Sequence, residues 1–129
     1  MSLVLTLFLA VLAPLSAHAA WYEMIFNTNY AVTEYVSDEF DAKQDMQIAT
    51  SFDNRYNSFA TTYTYTVERK NPSTGNWSTI DTTTGTIKAR ELGYATHTTH
   101  TGNSVLLTYR VRITTNSPIR FDGKIRFFN

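Results

Sequence analysis

The sequence predicts an all-β fold, an antiparallel β-sandwich of about seven short strands. Past residue 20 apolar side chains recur at every second position, turn chemistry separates the alternating runs at short intervals, and threonine fills 21 of 129 positions. Period-two alternation buries one face of a strand and exposes the other. β-Branched residues fit that pleated surface and lose rotamer freedom in helices. Short runs at regular spacing favour a sandwich over a barrel or an α/β fold.

The chain opens differently. Leu3 to Leu12 is a solid apolar block, Pro14 follows, and Ala17-His18-Ala19 places small residues at both positions a signal peptidase reads. Residues 1–19 are therefore expected to be a cleaved signal peptide, although no Lys or Arg precedes the block. A ten-residue apolar stretch is too short to span a bilayer, so no transmembrane segment is expected after cleavage. Residues 20–129 then form a single β-sandwich domain, secreted to the cell envelope or beyond. The chain has no cysteine, which excludes a disulfide scaffold, a zinc ribbon and a thiol nucleophile, and suits a bacterial exported protein. The sequon Asn76-Trp77-Ser78 matters only in a glycosylating host.

The clearest strand places Val105, Leu107, Tyr109, Val111 and Ile113 on one face and Leu106, Thr108, Arg110, Arg112 and Thr114 on the other. A second sets Tyr63, Tyr65 and Val67 against Thr62, Thr64, Thr66 and Glu68. Further strands are expected at Trp21 to Asn27, Met46 to Phe52, Trp77 to Asp81, Thr86 to Arg90, Tyr94 to Thr99 and Ile119 to Phe128. Asn71 to Asn76, Thr84-Gly85, Gly102-Asn103, Asn116-Ser117-Pro118 and Asp122-Gly123 carry turn chemistry between them. Val32 to Gln44 has room for a short helix, and Asp38 to Asp41 equally suits a loop.

Tyr65-Thr66-Val67-Glu68-Arg69, a turn, and Trp77-Ser78-Thr79-Ile80 resemble the C and C′ strands of fibronectin type III and immunoglobulin-like domains. Thr108 to Asn116 is similar to the F strand, and thirteen residues follow it, enough for a G strand. The proline-flanked first strand and the B-strand tryptophan of the fibronectin pattern are absent. The resemblance implies an immunoglobulin-like sandwich serving as an adhesion or recognition module rather than an enzyme.

No catalytic or cofactor motif appears: there is no Gly-x-Ser-x-Gly, no Gly-rich phosphate loop and no His-Glu-x-x-His. His97 and His100 point to opposite faces of a strand, so a metal between them needs an intervening turn. They are expected to be exposed and polar. Asp38, Glu39, Asp41 and Asp45 fit no EF-hand spacing and suit a solvated acidic loop. No metal or cofactor is expected.

Charge balances at eleven against eleven, which argues against nucleic-acid binding, yet it is segregated. Residues 20–87 carry four basic against nine acidic side chains; residues 88–129 carry seven against two. Arg110 and Arg112 share a face, and Arg120 or Arg126 joins them there if the last strand lies alongside. Such a stripe of Arg110, Arg112, Arg120 and Arg126 suits an anionic envelope polymer, a lipid headgroup or an acidic protein, unless the acidic half of the chain covers it. The expected function is a secreted, non-enzymatic binding module. The alternative is a small secreted effector: an antibacterial protein, a membrane-active toxin or a protease inhibitor. Thr62, Thr64 and Thr66 also raise ice binding, which a single strand of threonines is too small to support.

Overall fold

A computed structural model describes residues 20–129; the expected signal peptide lies outside them. Eight antiparallel strands run β1 (Trp21–Asn27), β2 (Val32–Val36), β3 (Phe40–Ala42), β4 (Asp45–Asp53), β5 (Thr61–Lys70), β6 (Trp77–Ile87), β7 (Leu92–His100) and β8 (Leu107–Phe128). No helix occurs among the described residues. The antiparallel sandwich is as expected, and its connectivity follows from β8. The first half of β8 lies between β5 and the β2/β3 pair, with β6 beyond β5; this is the back sheet. The second half lies between β1 and β4, with β7 beyond β4; this is the front sheet. Counting β2/β3 as one strand and β8 as two, this is the eight-strand order of a double-Greek-key jelly roll. The local order β6, β5, β8 matches the C′, C, F resemblance. The G-strand position, however, is filled by β2 and β3, because the residues after Asn116 cross to the other sheet.

The segment Asn116-Ser117-Pro118 is a corner within β8, where a turn is expected from sequence. Across it β2 pairing jumps from Glu34 opposite Thr114 to Val32 opposite Ile119, a bulge that bends the longer strand and asks no backbone N–H of Pro118. Side chains hold the bend: Thr62 N donates to Asn116 Oδ1 (2.9 Å), and Thr115 Oγ1 lies 2.8 Å from Ser117 O. Alternation survives the corner, so Tyr109, Val111, Ile113, Ile119, Phe121, Ile125 and Phe127 are all buried.

Three other expectations are corrected. Gly85 and Gly123 lie inside strands, because glycine here serves close approach rather than a turn. A Cβ on Gly85 would meet the Tyr63 ring, and one on Gly123 the Ala49 carbonyl; Trp77 to Asp81 and the following residues therefore run on as one strand to Ile87. Val32 to Gln44 holds β2 and β3, whose inward Tyr35, Phe40 and Ala42 pack on the core. Between these strands Ser37 keeps the ladder continuous: Ser37 N donates to Val111 O and Val111 N donates to Ser37 Oγ, both 2.9 Å. Finally, Val105 precedes β8 and is 59% exposed, while Leu107 at the strand's end is only partly buried.

The core is joined by aromatic stacks with one ring from each sheet: Phe26 on Tyr35, Phe52 on Tyr63 and Phe127 on Phe40, each with centroids 4.7 Å apart. At the open edges, Asp81 of β6 accepts from His97 Nε2 and Thr99 Oγ1 of β7, both at 2.7 Å. Burial pushes the Asp81 carboxyl up, but these bonds and the His97 charge outweigh it and leave it below the usual range. A lowered carboxyl stabilises the fold above its unfolded value near 4 and loses that contribution as pH falls through the lower folded value. Asp81→Asn should therefore unfold at lower urea than the parent at neutral pH, with the gap closing below about pH 4. Ile113→Ala should cost about 2–5 kcal/mol and Leu107→Ala distinctly less, measured in the same urea titrations.

Candidate binding trough on the front sheet

The outward residues of the front sheet align in rows set by strand register. Glu23, Arg126, Gln47 and Thr98 form one row, Ile25, Lys124, Ala49 and Thr96 the next, and Asn27, Asp122, Ser51 and Tyr94 a third. At the middle of β4 the outward side chains, Ala49 and Ser51, are short, with Lys124 of β8 on one side and Tyr94 of β7 on the other. The result is a chain of hollows following β4: 230 Å³ beside Asp53 and Arg120, 350 Å³ over Ala49 and Ser51, and 290 Å³ beside Gln47 and Thr98. A fourth, of 420 Å³, lies past Asp45 at His100 and Gly102. With nine residues in β4, the trough is about 26 Å long at roughly 3.3 Å per residue.

Its walls combine rings, hydroxyls, amides and paired charges. Tyr94 and Ile25, 76% and 83% exposed, flank the central hollow. Trp21 packs edge-on against Phe128 at the far end, with the Arg126 guanidinium 5.3 Å from the indole centroid. Glu23 Oε1 lies 3.2 Å from Arg126 Nε and 3.8 Å from Lys124 Nζ. The Arg55 guanidinium hydrogen-bonds Asp53 at 2.9 Å and holds that carboxyl below the usual range, against a smaller opposing effect of burial. Arg55, Arg120, Lys124 and Arg126 are balanced by Glu23, Asp45, Asp53 and Asp122, so the trough carries no net charge.

The four arginines anticipated as one stripe are divided by the β8 corner. Arg110 and Arg112 lie on the outer face of the back sheet, Arg120 and Arg126 on that of the front sheet. Arg110 Nε donates to Glu68 Oε1 at 3.0 Å and its guanidinium lies 4.1 Å from the Trp77 centroid. Arg112 pairs with Glu34 and, at 3.4 Å, with Glu68. Arg120 stands opposite Asp53 in the β4 register. His97 and His100 do point to opposite faces. His97 is only 23% exposed and bound to Asp81, and exposed His100 meets Asp45 at 2.7 Å. The acidic group is dispersed, Glu39 facing Lys70 and Asp41 accepting from Thr108. Among the described residues no three His, Cys, Asp or Glu side chains converge to hold a metal.

The trough went unseen in the sequence because the β4 residues along its floor carry no distinctive chemistry. Gln47, Ala49 and Ser51 look like the unremarkable outer face of a strand, and only the register that puts Tyr94 and Lys124 beside them gives them meaning.

No family model and no curated protein sequence matches the chain. Solved structures share its fold. One is the endo-1,4-beta-D-xylanase 10B fragment of Clostridium thermocellum carrying CBM22-1 and GH10 modules, complexed with xylohexaose: TM-score 0.53, 15% identity, 68% of this chain and 17% of that one. Another is the VP2 subviral particle of infectious bursal disease virus: TM-score 0.53, 10% identity, 88% of this chain and 33% of that one. A particle of the same virus gives TM-score 0.54 at 11% identity over 88% and 31%. The chain thus spans a third or less of each of these structures, and the shared feature is the sandwich.

Glu68, with 13% of its side chain exposed, serves both Arg110 and Arg112, whereas Glu34 is 50% exposed. Glu68→Gln should therefore cost about 1–3 kcal/mol and Glu34→Gln about 0–1 kcal/mol, read from urea midpoints.

Proposed function

We propose that the domain is a non-enzymatic, extracellular carbohydrate-binding module that holds an extended polysaccharide in the trough along β4. The observation that carries this is the trough itself: an open furrow the length of a strand, walled by hydrogen-bonding side chains and an exposed tyrosine, with balanced charge. A polyhydroxylated chain matches it, since hydroxyls both donate and accept, and sugar C–H faces pack on an aromatic ring. A polyanion would gain little over a neutral polymer, because each basic group on the trough has an acidic neighbour on the same face. The fold it shares with the xylanase fragment solved with xylohexaose is in keeping with this reading.

The test is affinity electrophoresis of the mature domain in gels containing soluble xylan, glucan or mannan, followed by calorimetry on any polymer that retards it. At least one neutral polysaccharide is expected to bind. Tyr94→Ala should weaken that binding about tenfold, the equivalent of roughly 1.4 kcal/mol, without lowering the melting temperature. Failure of every polymer to retard the protein, or equal retardation of Tyr94→Ala, would remove the trough as the site.

A further inference from the structure

We infer that one end of the sandwich, beyond the Asp53 and Arg120 end of the trough, is a membrane-docking tip for an anionic lipid surface. The β1–β2, β4–β5 and β6–β7 turns and the β8 corner meet there. They display Tyr30, Tyr56 and Phe59 at 77%, 82% and 53% exposure, the largest aromatic exposure outside the trough face.

These rings are exposed by construction. The turn bearing Tyr56 and Phe59 is tied down by Asn54, which is fully buried. Its Nδ2 donates to the carbonyls of Phe59 (3.0 Å) and Lys88 (3.0 Å), and its Oδ1 accepts from Thr61 Oγ1 (2.7 Å) and Asn57 Nδ2 (2.8 Å). Asn54 N donates to Glu91 O, and Arg90 N donates to Asn57 O, both at 3.0 Å. Arg90 takes a left-handed conformation, φ 64°, to close that second bond. With every polar group of Asn54 committed, the turn cannot fold its rings back onto the core.

The charge around the rings selects the partner. Lys88 and Arg90 stand at this end beside Glu91, and Arg55 and Arg120 border it with Asp53 and Asp122; Lys88, Arg90 and Arg120 are exposed without an ion-pair partner within 4.0 Å among the described residues. Tyrosine settles at the headgroup boundary and phenylalanine just beneath it, and each nearby Lys or Arg strengthens binding to an anionic leaflet. A rim of turns has little flat area to offer a folded protein, while a bilayer takes up the rings one by one.

The test is co-sedimentation of the mature domain with vesicles of phosphatidylcholine alone and of phosphatidylcholine with phosphatidylglycerol, at low and high salt. Binding is expected only to the mixed vesicles and should fall as salt rises. A Tyr56→Ser, Phe59→Ser double variant should bind about tenfold more weakly or worse while keeping its melting temperature and its retardation by polysaccharide. A Tyr56→Trp variant should shift its emission to the blue on the mixed vesicles by comparison with the parent. Tyr94→Ala should bind vesicles normally, which separates this result from the fate of the trough. Absence of sedimentation at low salt, unchanged binding of the double variant, or vesicle binding with no Tyr56→Trp shift would each overturn the tip.

Discussion

The structure depends on β8 serving as an interior strand of both sheets. Two sheets formed from separate strands can slide over one another, but a continuous 22-residue strand fixes their relative position at its corner. Every other strand except the edge pair β6 and β7 is hydrogen-bonded to it directly. Because alternation passes through the corner unbroken, one parity of residues supplies the core on both sides. That shared parity brings Phe121 and Phe127 of the second half into contact with Tyr35 and Phe40 of the back sheet.

Small residues are distributed to suit this arrangement. Inside the front sheet Gly123, Thr50 and Ala95 lie in one row, and the vacancy they leave is filled from the back sheet by Tyr65, which is 1% exposed with its hydroxyl 3.5 Å from Ala95 O. Burial in that position pushes the Tyr65 phenol well up, keeping it neutral. Outside the same strand Ala49 and Ser51 floor the trough. The short side chains of β4 and its neighbours therefore admit a ring from one face and leave room for a ligand on the other.

Alternation made the sandwich legible, and most strand positions with it: the segments from Tyr63 to Val67, Met46 to Phe52 and Tyr109 to Ile113 declare their inward faces through their apolar members. What failed were the punctuation marks. Thr84-Gly85, Asn116-Ser117-Pro118 and Asp122-Gly123 have the composition of turns, but a glycine also serves where a ring or a neighbouring backbone comes too close for a Cβ, and a proline also serves at a bulge where no ladder bond is missed. Those are facts about residues distant in sequence, such as Tyr63 against Gly85, and no local signal records them. The same limitation hid a second threonine row. Thr82, Thr84 and Thr86 stand opposite Thr66, Thr64 and Thr62, with Thr64 and Thr84 joined at 3.1 Å, a pairing visible only once β5 and β6 are in register.

The charge segregation has its explanation in the same topology. A strand that is central in two sheets must be flanked on both sides along its whole length, and all five strands directly beside it, β1 to β5, come from the acidic first part of the chain. Cross-strand neighbours of opposite charge stabilise an antiparallel pair, and like charges oppose it. Glu34 and Glu68 meet Arg112, Glu68 also meets Arg110, Glu23 meets Lys124 and Arg126, and Asp53 stands opposite Arg120. A basic last strand among acidic earlier ones is therefore a register code for β8, which selects the neighbours it needs and disfavours pairing with a second copy of itself. On that account the cations that escape the pattern carry the information about partners. Lys88 and Arg90 belong to a turn rather than to β8, have no strand to match, and stand beside the exposed rings of the tip.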